Sequence, residues 1–201
     1  MRKILLKAAP LFMLPAICGW ISHDTLGQWE EFSRSKEKPV FMKWIRETAI
    51  SVHMKEREFT PLAVKVPPLQ GSAGLFITLI KNGKVRGCFG AFDHSETDVS
   101  ILFKDYLKGA LSCDPRYKPI ERDELDETEI VVTIASHPEN ADDLNNIDIS
   151  RFGVFIECDS EPGRVFVPAE FRTASGLDRD NKYRDCRVSS FRAVTIREER
   201  K

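Results

Sequence analysis

Cysteine is scarce in this 201-residue chain, with five residues and no Cys-x-x-Cys pair. That is too few for a disulfide-built scaffold and lacks the close pairing of a metal or redox motif. Histidine is scarcer still. None of His23, His53, His94 and His137 lies three to five residues from another, so no helix carries a pair of ligands one turn apart. There is no phosphate-cradling P-loop and no Rossmann glycine box. Neither sign of charge dominates: 30 Lys and Arg face 31 Asp and Glu, for a formal net charge of −1. A chain so balanced exerts no general pull on nucleic acid or anionic lipid. The longest apolar stretch, Ala8 to Ile21, falls short of the ~20 residues that span a bilayer. An apolar share of 42% beside a charged share of 30% argues against disorder and against a polytopic membrane protein.

What is present begins with a leader-like segment. Arg2, Lys3 and Lys7 precede an uncharged stretch from Ala8 to His23, the layout of a secretory signal. Pro10 and Pro15 weaken a plain transmembrane helix. Residues 1–23 are therefore expected to direct export, to the periplasm or to a membrane tether if the leader is retained. The alternative is a buried N-terminal helix in a cytoplasmic protein. Without those 23 residues, four cysteines remain, Cys88, Cys113, Cys158 and Cys186. That number permits disulfides in an oxidising compartment without demanding them.

Residues 24–38 read as a polar connector and residues 39–201 as one domain, a size that suits a single core. Phe41, Trp44, Ile45, Thr48, Ala49 and Val52 share a helical stripe, and so do Val99, Leu102, Phe103, Tyr106, Leu107 and Ala110 in a helix beginning near Ser95. Leu75 to Ile80 is β-rich, and Asn82-Gly83 is the strongest short hairpin signal. The returning strand is Val85 to Gly90. Further strands are expected at Glu129–Ala135, Gly153–Cys158, Arg164–Val167 and Phe191–Arg197. The polar segment 169–187 has room for short helices. Strands joined by local turns, with helices segregated, define an α+β domain with a mainly antiparallel sheet.

A two-residue hairpin loop places Ile80 opposite Val85, Leu79 opposite Arg86 and Ile77 opposite Cys88. Arg86, Cys88 and Gly90 then share one face. A guanidinium beside a thiol lowers the thiol pKa and binds carboxylate or phosphate, while Gly87 and Gly90 allow close approach. The competing reading is a structural cysteine beside a salt-bridged arginine. His94, six residues past Cys88, is either a base reaching across a loop or a surface histidine.

With those residues in view, the sequence resembles the AMMECR domain family, also called protein A of the AmmeMemoRadiSam system. The resemblance rests on Gly74-Leu-Phe-Ile-Thr-Leu, on Asn82-Gly83, and on Val85-Arg-Gly-Cys-Phe-Gly90. It rests also on Asp114-Pro-Arg-Tyr117 with Pro119, on Glu124-Leu125 and on Glu129-Ile-Val-Val-Thr-Ile134. It covers residues 39 to 198. It implies an α+β fold of two unequal lobes, with the box at 85–90 lining a cleft. Carried over residue by residue, it implies Arg86 as anion clamp, Cys88 as thiol nucleophile or redox group, and Gly87 and Gly90 as points of close approach. Asp114 and Arg116 would close the cleft or hold the box, and Glu129 is a candidate acid or base. Two functions are implied: binding or transforming a small anionic or oxidised ligand, or serving as a non-catalytic partner of Memo-type and radical-SAM proteins. No cofactor, reaction or oligomeric state follows. Phe89 stands where the family has an aliphatic residue, and Ser175-Gly-Leu177 where it has a tryptophan.

Charge is unevenly spread. Residues 121–161 hold 13 acids and 2 bases, and residues 172–201 hold 9 bases and 5 acids. These segments either attract partners of opposite charge or neutralise each other. The terminal arginines are interleaved with Asp178, Asp180 and Asp185 and accompanied by few aromatics, so nucleic-acid binding is not expected.

Overall fold

The structure, a computed structural model, describes residues 25–55, 60–69, 73–141, 147–159, 161–170, 183 and 186–198. The expected leader and most of segment 169–187 lie outside the described residues. Four helices are seen, α1 (Thr25–Ser33), α2 (Lys38–His53), α3 (Val99–Ser112) and α4 (Arg122–Glu127). The strands are β1 (Gly74–Lys81), β2 (Lys84–Ala91), β3 (Glu129–Ala135), β4 (Glu139–Asn140), β5 (Phe152–Cys158), β6 (Glu161–Phe166) and β7 (Arg187–Arg197). All pairings are antiparallel, in the order β2-β1-β3-β7-β5-β6, with β4 also on β7.

The amphipathic stripes form as their spacing demands. In α2, Phe41, Trp44, Ile45, Thr48 and Ala49 are buried, and Pro39 sits in the first turn, where its missing N–H costs nothing. Helix α3 begins at Val99 and not near Ser95, because Asp98 is the N-cap. Its carboxylate accepts from the N–H groups of Ser100 and Ile101, two donors the helix cannot satisfy internally.

The stretch read as a polar connector is instead helix α1. Leu26, Trp29 and Phe32 are buried, Trp29 completely. Three apolar residues one turn apart suffice to anchor a short helix whose other positions are polar. Trp29 packs on Phe32, Phe41 and Phe103. Its indole N–H donates to the Pro68 carbonyl at 3.2 Å, as that of Trp44 does to Thr60 at 2.8 Å. These two bonds tie the irregular, proline-rich connection to the helices.

The Asn82-Gly83 loop forms with both residues at positive φ, 52° and 68°, as the tight mirror-image turn requires. Beyond it the ladder departs from simple alternation. Ile80 pairs with Val85 as expected, but Leu79 pairs with Gly87, Thr78 with Cys88 and Ile77 with Phe89. Arg86 is an extra residue in a β-bulge, which displaces every later partner by one.

Alternation along β1 separates two apolar clusters. Leu75, Ile77 and Leu79 join α1, α2, α3 and β3 in the main core, whereas Phe76 belongs to a smaller cluster with Ala135, Val167 and Phe191. The sheet curls about this smaller cluster. Its two edge strands, β2 and β6, thereby come to face each other across a cleft.

Candidate functional site

The cleft has a volume of about 440 Å³ and is lined by Phe76, by Cys88 to Gly90 of β2, by Pro115 and Arg116, and by Gly163 to Phe166 of β6. A larger hollow of about 660 Å³ lies elsewhere, between α2, α4 and the end of β7. Its central Arg46 is fully engaged with Glu198 and the carbonyls of Leu125 and Thr128. That arginine works as a tie between elements. Among the described residues, no group of three or more His, Cys, Asp or Glu side chains converges to hold a metal ion.

Cys88 presents its side chain to the cleft beside Thr78, whose Oγ1 lies 3.5 Å from Sγ. The outward N–H of Cys88 donates to Asp114 Oδ2 at 2.8 Å. Asp114 also accepts from the Arg116 backbone N–H at 3.0 Å and from Arg116 Nη2 at 2.8 Å. The Asp-Pro-Arg turn thus caps an edge strand that would otherwise expose an unpaired donor. Arg116 reaches on to Glu170, 3.1 Å from Nη2. The Glu170 carboxylate also accepts from the Val167 N–H at 3.2 Å. Asp114 and Glu170 side chains are 4% and 3% exposed, against 48% for Arg116. Two buried carboxylates therefore hold one half-exposed guanidinium at the mouth of the cleft.

The electrostatics follow from this burial. Loss of solvent and the nearby Glu170 push the Cys88 thiol up to about 12, so it is a neutral thiol near pH 7. Burial thus works against the thiolate expected at Cys88. Burial raises Glu170 above the usual carboxylate range despite the opposing charge of Arg116. Burial acts on Asp114 in the same sense, but hydrogen bonds from Arg116 and from the Cys88 N–H outweigh it and hold the carboxyl low.

The structure distributes the remaining candidates differently from their order in the sequence. Arg86 does not line the cleft. Its Nε and Nη2 pair with Glu124 at 3.1 and 2.8 Å, and its Nη1 donates to the Lys118 carbonyl at 2.8 Å. The bulge turns it toward α4, where every nitrogen meets a protein acceptor. Gly87 and Gly90 do mark close approaches, but to the protein itself. A Cβ on Gly87 would stand 2.3 Å from the Ala110 carbonyl oxygen of α3, and one on Gly90 2.3 Å from the Phe76 ring. Glu129 lies outside the cleft, paired with Arg197 at 2.9 Å. His94 bonds to Tyr106 Oη at 2.8 Å and to the Ala73 carbonyl at 3.0 Å. The carbonyl can only accept, so Nε2 carries the proton and Nδ1 accepts from the tyrosine. Burial lowers its pKa first of all, which makes it a neutral structural histidine.

Two features escaped the sequence. Glu170 stands in a polar segment with no periodicity to single it out. Cys158 and Cys186 form a disulfide, one position beyond the Glu157–Arg187 pair of the β5/β7 ladder.

A curled antiparallel sheet with helices on one side and a cleft between its edge strands defines the class of protein. Residues 42–183 match the AMMECR1 family, and the chain belongs to that family. It is 35% identical over 85 residues to a Thermotoga maritima protein, covering 42% of this chain and 49% of that one. It is 31% identical over 125 residues to a Methanosarcina barkeri protein, covering 58% and 61%. The matches span about half to three fifths of these curated relatives. An uncharacterized Pyrococcus horikoshii protein of known crystal structure shares the fold, with a TM-score of 0.59 at 20% identity over 82% of this chain and 93% of that one.

Proposed function

We propose that the cleft between β2 and β6 binds a small ligand with an anionic head and an apolar body. The carrying observation is Arg116. Its Nε and Nη2 are held by Asp114 and Glu170. Its Nη1 makes no hydrogen bond among the described residues, and the side chain is 48% exposed. A guanidinium oriented by two buried carboxylates, with one edge free, is a preorganised anion donor. Arg164 lines the opposite side, and Phe76, Phe89, Val165 and Phe166 supply apolar walls. A volume of about 440 Å³ suits a metabolite-sized molecule. The neutral state of Cys88 favours binding over thiolate catalysis. Its role in this reading is to shape the floor of the cleft.

The test is native mass spectrometry of protein purified from its host, followed by titration of carboxylates and phosphates by calorimetry. A bound anion whose affinity falls at least tenfold in Arg164→Ala and in Arg116→Lys supports the reading. A bare protein that binds none of them at millimolar concentration overturns it. The surviving function would then be the partner module for Memo-type and radical-SAM proteins. Export is a separate proposal, supported by the leader pattern and by the Cys158–Cys186 disulfide, since such bonds persist in oxidising compartments. Loss of about 2 kDa from the protein made in its host supports it, and a full-length soluble form overturns it.

A further inference from the structure

We propose that the cleft takes the C-terminal end of an extended peptide, which pairs with β2 at Gly90 and sets its terminal carboxylate on Arg116. This rests on the reading of the cleft as an anion site and names the class of ligand.

The backbone of β2 supplies the first half of the site. Strand β2 ends the sheet and pairs only with β1, so its outer edge has no strand neighbour. The Cys88 N–H points away from β1, to Asp114. Peptide groups along a strand alternate in direction with a period of two residues. From Cys88 to Ala91 the register with β1 is regular, so the N–H and C=O of Gly90 point outward as well. Gly90 lines the cleft and is half-buried. Among the described residues, no side chain or turn hydrogen-bonds to its outward N–H and C=O. An unpaired donor and acceptor side by side on a half-buried edge are a template for one more strand.

Asp114 sets the point where that strand stops. Its carboxylate already accepts from the Cys88 N–H at 2.8 Å, as the carbonyl of an added strand would. A guest chain can therefore pair from Gly90 toward Ala91, and not at Cys88. Arg116 stands at this closed end. Its Nε and Nη2 are held by Asp114 and Glu170, and Nη1 is left over. A chain that ends here offers a carboxylate to a guanidinium, whereas a chain that continues runs into the Asp114 cap. A guest with its C-terminus at this end and its earlier residues toward Ala91 runs antiparallel to β2. In that direction the residue opposite Gly90 exchanges two hydrogen bonds, donating to the Gly90 carbonyl and accepting from the Gly90 N–H. Phe76, Val165 and Phe166 line the same cleft, which favours apolar residues at the end of the guest. Main-chain bonds supply affinity, and the apolar walls and the guanidinium supply selectivity, as in other cases of strand addition and carboxylate capture.

The test uses the full chain, labelled for amide resonances, and acetylated tetrapeptides ending in Val, Leu, Ile or Phe. At least one should bind below millimolar concentration, with the Gly90 amide resonance shifting most among those of β2. Its C-terminal amide should bind at least tenfold more weakly, and the free acid should lose as much against Arg116→Lys. Methylating the last two peptide nitrogens one at a time should cost at least tenfold at one of them, with the protein left as wild type. A carrier protein ending in the same four residues separates two sources of such an end. Binding on the carrier supports a protein tail, and binding of the free peptide alone supports a short peptide ligand. No binding by any acid tetrapeptide overturns the proposal. So does a Gly90 amide that does not shift, or tolerance of both methylations. Isovalerate and phenylacetate bound as tightly as the peptides overturn it too, and leave the anion reading standing. Equal affinity for acid and amide overturns both.

Discussion

The two faces of the sheet are built by different means. On the helix side, Leu75, Ile77, Leu79, Ile130, Val132 and Ile134 are fully buried against α1, α2 and α3, and an aromatic group of Trp29, Phe41, Trp44 and Phe103 fills the space between the helices. Its stability comes from apolar area. On the cleft side, Phe76, Phe92, Phe155 and Phe191 form a thinner layer. Above it stand charges, Asp114, Arg116 and Glu170, locked by hydrogen bonds. This second face keeps polar groups ordered at the mouth of a cleft, an arrangement that a fully packed layer would not permit.

The sharpest way to break this comparison is to cut into each face. Phe103→Ala removes a ring in contact with Trp29, Phe41 and Trp44 and should cost about 3–5 kcal/mol in denaturant unfolding. Phe155→Ala, on the half-buried cleft side, should cost less than half of that. Equal losses would mean that the two faces are not distinct. Next in size is Gly87→Ala, which drives a methyl against the α3 backbone and should cost about 1–3 kcal/mol with the cleft intact.

The Arg86–Glu124 pair fastens the box strand to α4 and gives a pH prediction. Hydrogen bonds from Arg86 and from the Glu121 N–H bring the Glu124 carboxyl down to about 2 from an ordinary 4.5. Folding therefore gains from this group fully above pH 4.5, and the gain is lost as pH falls through about 2. Arg86→Ala should cost about 1–2 kcal/mol at pH 7, allowing for partial solvent screening. The gap to wild type should narrow steadily between pH 5 and pH 2. A gap independent of pH would show that the pair works through packing alone. The smallest effect belongs to Glu129→Gln. It removes a partly exposed pair with Arg197, worth about 0–1 kcal/mol, and should leave ligand binding unchanged. A loss of binding would return Glu129 to the site.

Much of the fold was legible because the signals are local. The stripes of α2 and α3, the mirror-image turn at Asn82-Gly83 and the alternation of β3 each depend on residues within one or two turns of each other. Helix α1 was hidden by the polar residues around its three anchors. Helix α4 is six residues long and too short to show a period.

The site was legible in composition but not in assignment. The box and the Asp-Pro-Arg turn were both identified, and they do meet at Cys88. A single bulge, invisible to an alternation rule, carries Arg86 away to α4. Arg116, 30 positions further along the chain, takes its place at the cleft.

The sequence by itself determined the longer helices and strands of the domain, the hairpin turn, the close approach at two box glycines, and a family resemblance carried by short contiguous motifs. Only the tertiary structure decided which arginine faces the cleft, that Glu170 is buried beside it, that Cys88 is neutral and that Cys158 pairs with Cys186. The reason is range. Dihedral preference and periodicity act between neighbours, whereas burial, ion pairing and sulfur–sulfur approach depend on strands that are distant in sequence and meet only when the sheet curls.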